Sequence, residues 1–171
     1  NPGSSVYGAL KTAVETQIFP TRQEVPHEYT WNAESVFPTL EAWENELKAI
    51  TADLPGLAKF QGKLSSGPAA LADALRTRDE LMRRAAVVLM YANMCHEVDK
   101  TDQTAAILAG RARGVVGQAL AAVAFIEPEA IAIGAGQIQA WLQQEPGLKT
   151  YAHYFDNLFR KQAHIRSAEV E

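Results

Sequence analysis

From Leu40 onward, apolar residues recur at alternating steps of three and four. Leu40, Trp43, Leu47, Ile50, Leu54, Leu57, Phe60 and Leu64 line one face of a helical segment. Thr39 is placed to cap its start, and Glu44 stands four residues before Lys48 on the outer face, where an ion pair is expected. Pro55-Gly56 interrupts the backbone ladder without shifting the apolar phase, so two helices or one kinked helix share a single buried stripe. Gly62 and the run Ser65-Ser66-Gly67-Pro68 make the turn that follows.

The stretch 68–102 predicts the longest helix, capped by Ser66 or Gly67 with Pro68 in its first turn. One stripe runs through Leu75, Met82, Ala85, Leu89, Ala92 and His96, and a second through Leu81, Val88, Tyr91, Cys95 and Val98. Two apolar stripes predict burial from two sides. Asp79 with Arg83 and Glu80 with Arg84 are spaced to pair on its solvated start.

Thr101 or Asp102 caps the next helix, whose main face is Leu108, Ala112, Val115, Ala119, Ala122 and Ile126, with Val116, Leu120 and Val123 beside it. Its many alanines and its glycines at 110, 114 and 117 predict the close approach of another helix. Arg111 and Arg113 read as solvated surface residues. A short helix begins at Glu127-Pro128-Glu129 and ends at Gly134 and Gly136, and another spans 137–144 around Ile138, Trp141 and Leu142. Leu148, Tyr151, Phe155 and Leu158 then mark a last clear helix, widened by Tyr154 and Phe159. Ser167 followed by AEVE reads as a helix start whose helix is missing, and predicts a chain truncated at its C-terminal end.

Before Leu40 the pattern is irregular. A short uncapped helix over 7–16 and an N-terminal arm over 1–25, mobile or partly extended, are expected. Between Pro26 and Pro38 an extended segment is anchored by Tyr29, Trp31 and Phe37. The fold class that emerges is all-α: a multi-helix bundle of antiparallel helices with an extended N-terminal arm.

Composition narrows the function classes. The 171 residues are 47% apolar and 21% charged with a net charge of −4, enough for one domain with a substantial core and without the basic excess of a nucleic-acid surface. The single cysteine, Cys95, lies in an apolar helical pattern, which fits a reduced, cytoplasmic setting. The most apolar window, 115–126, is about half the length a bilayer requires, so no membrane crossing is expected. The start lacks an initiator Met and the layout of a secretion signal, and reads as cut, processed or replaced.

The candidate chemistry consists of near misses. His96-Glu97 opens a His-Glu-x-x-His zinc motif, but the fourth residue on is Lys100; His27-Glu28 opens another and meets Trp31. A catalytic zinc needs three protein ligands, and His96 reads instead as a partly buried, hydrogen-bonded histidine near a helix C-terminus.

Four segments together carry a resemblance: YTWNAESVFPTLEAWENEL, RDELMRRAAVVLMYANMCHEVDKTD, AFIEPEAIA and YAHYFDNLFRKQAHIRSAEVE. In order and spacing they resemble the N-terminal domain of the oligoendopeptidase F family of zinc metallopeptidases. The resemblance covers 20–171; residues 1–19 fall outside it, and Asn32 departs from the Asp that the family favours after the Trp. It implies a helical N-terminal domain over 26–171 that forms a wall of a cleft admitting short peptides and supports a C-terminal catalytic domain. It also implies zinc in that missing catalytic domain, held by a His-Glu-x-x-His helix and a more distant Glu. No position here matches that motif, so the chain is expected to lack catalytic and metal residues and to be inactive alone. The expected partners are its own catalytic domain and, through the parent protein, short peptide substrates; no nucleic acid and no membrane is expected. Tyr151, Tyr154 and Phe159 are candidates for an interdomain surface, set against simple core packing. The alternative reading is a free-standing helical module that binds a partner helix or self-associates weakly. A third is a minimal metalloenzyme built on His96, Glu97 and another His.

Overall fold

The structure, a computed structural model, describes residue 20 and residues 24–168, the last five of these as backbone only. The expected arm over 1–25 lies almost wholly, and the short helix over 7–16 entirely, outside the described residues. The chain divides into two compact units, Asn1–Asn32 and Ala33–Glu171.

In the first unit Pro26 leads into a 3-10 turn, His27–Tyr29, closed by Thr30, whose backbone N–H and hydroxyl both donate to the His27 carbonyl at 3.0 and 2.8 Å. The expected extended segment is therefore locally wound. Tyr29 is 77% exposed and anchors nothing, while Trp31 is half-buried.

The second unit is built from helices and contains no strand among the described residues. After a 3-10 turn, Ala33–Ser35, α1 spans Leu40–Asp53 and passes into a 3-10 segment, Leu54–Phe60, then Leu64–Ser66. α2 is Pro68–Val98, α3 Gln103–Val123, α4 Ile126–Ile133 and α5 Ala135–Gln144; a 3-10 turn, Pro146–Tyr151, leads into α6, Ala152–Ala168. The caps follow the chemistry read from sequence. Thr39 Oγ1 accepts from the Ala42 N–H at 3.1 Å, and Asp102 Oδ1 accepts from Thr104 and Ala105 at 2.8 and 3.2 Å. Pro68 occupies the first turn of α2 behind Gly67.

Two cores organise this unit. The first gathers Trp43, Leu47, Ile50, Leu54 and Leu57 against Leu81, Ala85, Val88 and Ala92 of α2 and Leu108, Ala109, Ala112, Val115 and Ala119 of α3. The second packs Leu71, Ala72, Ala74 and Leu75 of α2 with Ile126, Ile138, Trp141, Leu142, Leu148, Phe155 and Leu158. α2 is buried on both counts: its N-terminal half serves one core and its C-terminal half the other. Phe60 and Val123 pack against both and join them.

Several local expectations give way to tertiary partners. Glu44 pairs with Arg111 of α3 through both carboxylate oxygens, rather than with Lys48. Glu80 pairs with Arg83, and Arg84 turns to Glu46 and Asp53 at 2.6 and 2.7 Å. These carboxylate neighbours hold the Arg84 guanidinium well above its ordinary pKa. A guanidinium fork between two carboxylates on α1 ties that helix to α2 more effectively than a pair along one helix could.

Three boundaries also move. Gly134, at φ +91, separates α4 from α5, and Gly136 lies inside α5 rather than ending α4. Leu148 and Tyr151 belong to the 3-10 turn before α6, with the apolar phase kept. Ser167 is not a helix start, because α6 runs through it to Ala168. The glycines of α3 admit no neighbour among the described residues: a Cβ placed on Gly110, Gly114 or Gly117 would meet none of them within 4 Å, and the contacts are made by alanines instead. Each of those glycines weakens the helix by ~1 kcal/mol relative to alanine.

One span, Gln103–Ile133, is long and apolar enough to cross a membrane by length and composition, which the shorter window at 115–126 did not bring out. It comprises α3 and α4, separated by a turn at 124–125.

Trp43 has no exposed surface, and its indole N–H donates to the Val88 carbonyl at 3.0 Å. Trp43→Ala is expected to lower the unfolding free energy by ~3–5 kcal/mol in urea denaturation; a loss below ~1 kcal/mol would mean that α1 is not held by this residue.

Candidate functional site

The histidine dipeptides are differently employed. His27 and Glu28 are exposed on their 3-10 turn. His96 is half-buried on the last turn of α2, but its Nδ1 is buried without a hydrogen-bond partner among the described residues, so the expected hydrogen bond at that atom is absent. Glu97 pairs at 3.0 Å with Lys100, the residue that stands where a second histidine would complete the motif. That ammonium, by hydrogen bond and by charge, holds the Glu97 carboxyl below its ordinary range. Among the described residues, no group of three or more His, Cys, Asp and Glu could hold a metal ion. They do not form the zinc site that the family implies.

The aromatic candidates lie on the second core. Tyr151 closes the 3-10 turn, Tyr154 stands in the first turn of α6, and Phe159 is more than a turn further along; all three are half-buried and pack against that core. The structure brings the two tyrosines around Arg78 of α2, whose guanidinium lies 4.8 Å from the Tyr154 ring centroid and 5.9 Å from that of Tyr151. Arg78 also donates to Asp79, and the Tyr151 hydroxyl donates to the other Asp79 oxygen at 2.7 Å. The Tyr154 hydroxyl is buried and has no hydrogen-bond partner among the described residues. Burial raises the Tyr154 pKa, with Arg78 opposing. Burial, followed by the bond to Asp79, pushes Tyr151 up to about 12.

Sequence reasoning had assigned Asp79 to Arg83. Tyr151 is 72 positions away, and no local spacing signals that contact. The arrangement joins α2 to α6 through stacked and charge-assisted contacts; it holds no nucleophile paired with a base.

An open groove of about 670 Å³ lies between the end of α1 with its 3-10 extension and the C-terminal part of α3. Thr51, Leu54, Pro55, Gln118, Ala121 and Phe125 are among its lining, which includes no charged side chain. It can accommodate an apolar segment, not acid–base chemistry.

The comparisons find this chain similar to part of several oligopeptidases. A family described as Oligopeptidase F matches residues 129–171. Oligopeptidase PepF of Bacillus subtilis (strain 168) is 32% identical over 152 residues, which is 89% of this chain and 23% of that protein. Group B oligopeptidase PepB of Streptococcus agalactiae is 27% identical over 150 residues, 88% of this chain and 25% of its own length. The crystal structure of oligoendopeptidase-F from Enterococcus faecium superposes with a TM-score of 0.68 at 23% identity, covering 74% of this chain and 25% of that one, a likeness of fold. The chain thus spans about a quarter of the length of the relatives it matches. By fold and sequence together the chain is similar to the N-terminal domain of oligoendopeptidase F-type peptidases.

The raised Tyr151 pKa makes a pH prediction. Its folded value lies above the unfolded value of 10, so its contribution is complete below pH 10 and is lost as pH rises from 10 to about 12, where the unfolded chain ionises first. Thermal unfolding followed by circular dichroism should show a steeper alkaline loss in the native chain than in Tyr151→Phe; equal slopes would mean that neither burial nor Asp79 keeps the hydroxyl protonated.

Proposed function

We propose that this chain is the non-catalytic N-terminal domain of a zinc metallo-oligoendopeptidase, forming a wall of the substrate cleft, limiting access to short peptides and supporting a downstream catalytic domain. The observation that carries this reading is similarity over 89% of the chain to a protein named as an oligopeptidase, of which the chain spans 23%. A wall has to be stiff and chemically inert. A 31-residue helix held in two cores supplies stiffness, and Arg84 with Glu46 and Arg111 with Glu44 add pairs between helices. Zinc and the catalytic groups belong, on this reading, to the part of the parent beyond this chain, and the setting is cytoplasmic. The domain comprises 26–171, with 1–25 as an arm.

Tyr151, Tyr154 and Phe159 are proposed as an interdomain surface: their ring bodies pack on the second core while their remaining surface faces outward. The alternative, a free-standing self-association module, draws support from the exposed apolar residues Ile107 and Leu120 of α3.

The test is a chimera in which this chain replaces the matching region of Bacillus subtilis oligopeptidase PepF. A folded chimera should cleave a short quenched-fluorescent peptide and leave a folded protein substrate intact, and deleting the region should abolish cleavage or relax that size limit. Retention of both properties after deletion would sink the proposal.

A further inference from the structure

We infer that the outer face of α3, running from Ile107 through Gly110, Gly114, Gly117 and Leu120 to Ala121, docks an apolar helix from the remainder of the longer parent peptidase; this rests on the reading proposed above. The face is exposed, with Ile107 at 62% and Leu120 at 54%, and carries one charge, Arg113, at its edge between Gly117 and Leu120. Its three glycines weaken the helix without serving any contact among the described residues, none of which lies within 4 Å of where their Cβ atoms would be. Glycines on one face allow a second helix backbone to approach closely. At its C-terminal end the face opens at Ala121 into the uncharged groove beside Thr51 and Phe125, which offers about 670 Å³ for a large side chain of the incoming helix.

Charge selects the occupant. Arg113, beside the face, donates to Asn93 at 3.1 Å, whereas Arg111 is engaged with Glu44. A second copy paired antiparallel about Gly114 would bring Arg113 against its own symmetry mate, which disfavours self-association. A helix with an acidic residue at that rim complements Arg113 instead. A bilayer is disfavoured because interfacial helices carry a strongly basic polar face opposite bulky apolar residues, whereas this helix holds two arginines and presents glycines. The relatives, of which this chain spans about a quarter, supply the length of chain from which the helix would come.

The test uses the 171-residue chain and overlapping synthetic peptides of about 25 residues, long enough to form a helix, covering the part of Bacillus subtilis oligopeptidase PepF that the chain does not match. An apolar peptide is expected to bind by fluorescence anisotropy and to protect amides 107–121 from hydrogen exchange. Gly114→Leu should weaken that binding at least about tenfold through overpacking of the contact, while thermal unfolding of the variant stays the same or rises. Arg113→Glu should weaken it several-fold. Absence of any bound peptide overturns the inference. Protection confined to 151–159 overturns it while leaving the interdomain reading in place. A chain dimer in sedimentation that Gly114→Leu dissolves, or binding to phosphatidylglycerol vesicles in place of the peptides, overturns it in favour of a second copy or a membrane.

Discussion

The fold depends on how Trp43 seats α1 against the hairpin of α2 and α3. Its ring has no exposed surface, and its one polar atom is satisfied by the Val88 carbonyl, a backbone group that a helix presents at a fixed place. A buried indole with a distant acceptor specifies position as well as contributing apolar area. Arg111 closes the arrangement from α3, lying 5.5 Å from the Trp43 ring centroid while its guanidinium grips Glu44 on α1. With α1 set, the C-terminal half of α2 is committed to one core, and its N-terminal half is left to organise α4, α5 and α6 around the other.

The same economy governs the polar groups. Glu129 of α4 accepts from the backbone N–H groups of Gly62 and Leu64 at 2.6 and 3.3 Å, so an acid at a helix start also fastens the turn that precedes α2. Glu145 caps the turn before α6, accepting from Gly147 at 2.9 Å. Arg84 bridges α1 and α2, and Asp79 receives Tyr151. Charged side chains deployed this way rigidify connections between helices. Among the features that face outward are half-buried aromatics on the last 3-10 turn and α6, an uncharged groove, and a glycine-lined face on α3. Such a distribution fits the supporting role proposed above.

Much of this was legible in the sequence because it is local. The Leu40-to-Leu64 stripe, the caps at Thr39 and Asp102, the length of α2 and the mismatch at Lys100 are written in spacings of a few residues. The misses share a cause. Glu44, Asp79 and Arg84 each had a partner at helical spacing, yet each chose one on another element, because a partly buried, bidentate or phenolic contact outweighs a solvated pair along one helix. The α3 glycines were read as a contact inside the chain because sequence shows that a face is smooth, and not whether anything covers it. Tyr151 and Tyr154 were found as aromatics, whereas the Arg78 that they enclose carried no signal at all.

The proposed function requires that this chain carry no peptidase chemistry of its own. The direct measurement is metal content by mass spectrometry together with hydrolysis of a quenched-fluorescent peptide, on the same zinc-equilibrated and desalted sample of the chain. The account predicts neither stoichiometric zinc nor hydrolysis. Zinc bound one to one and lost in His96→Ala, accompanied by cleavage, would contradict it.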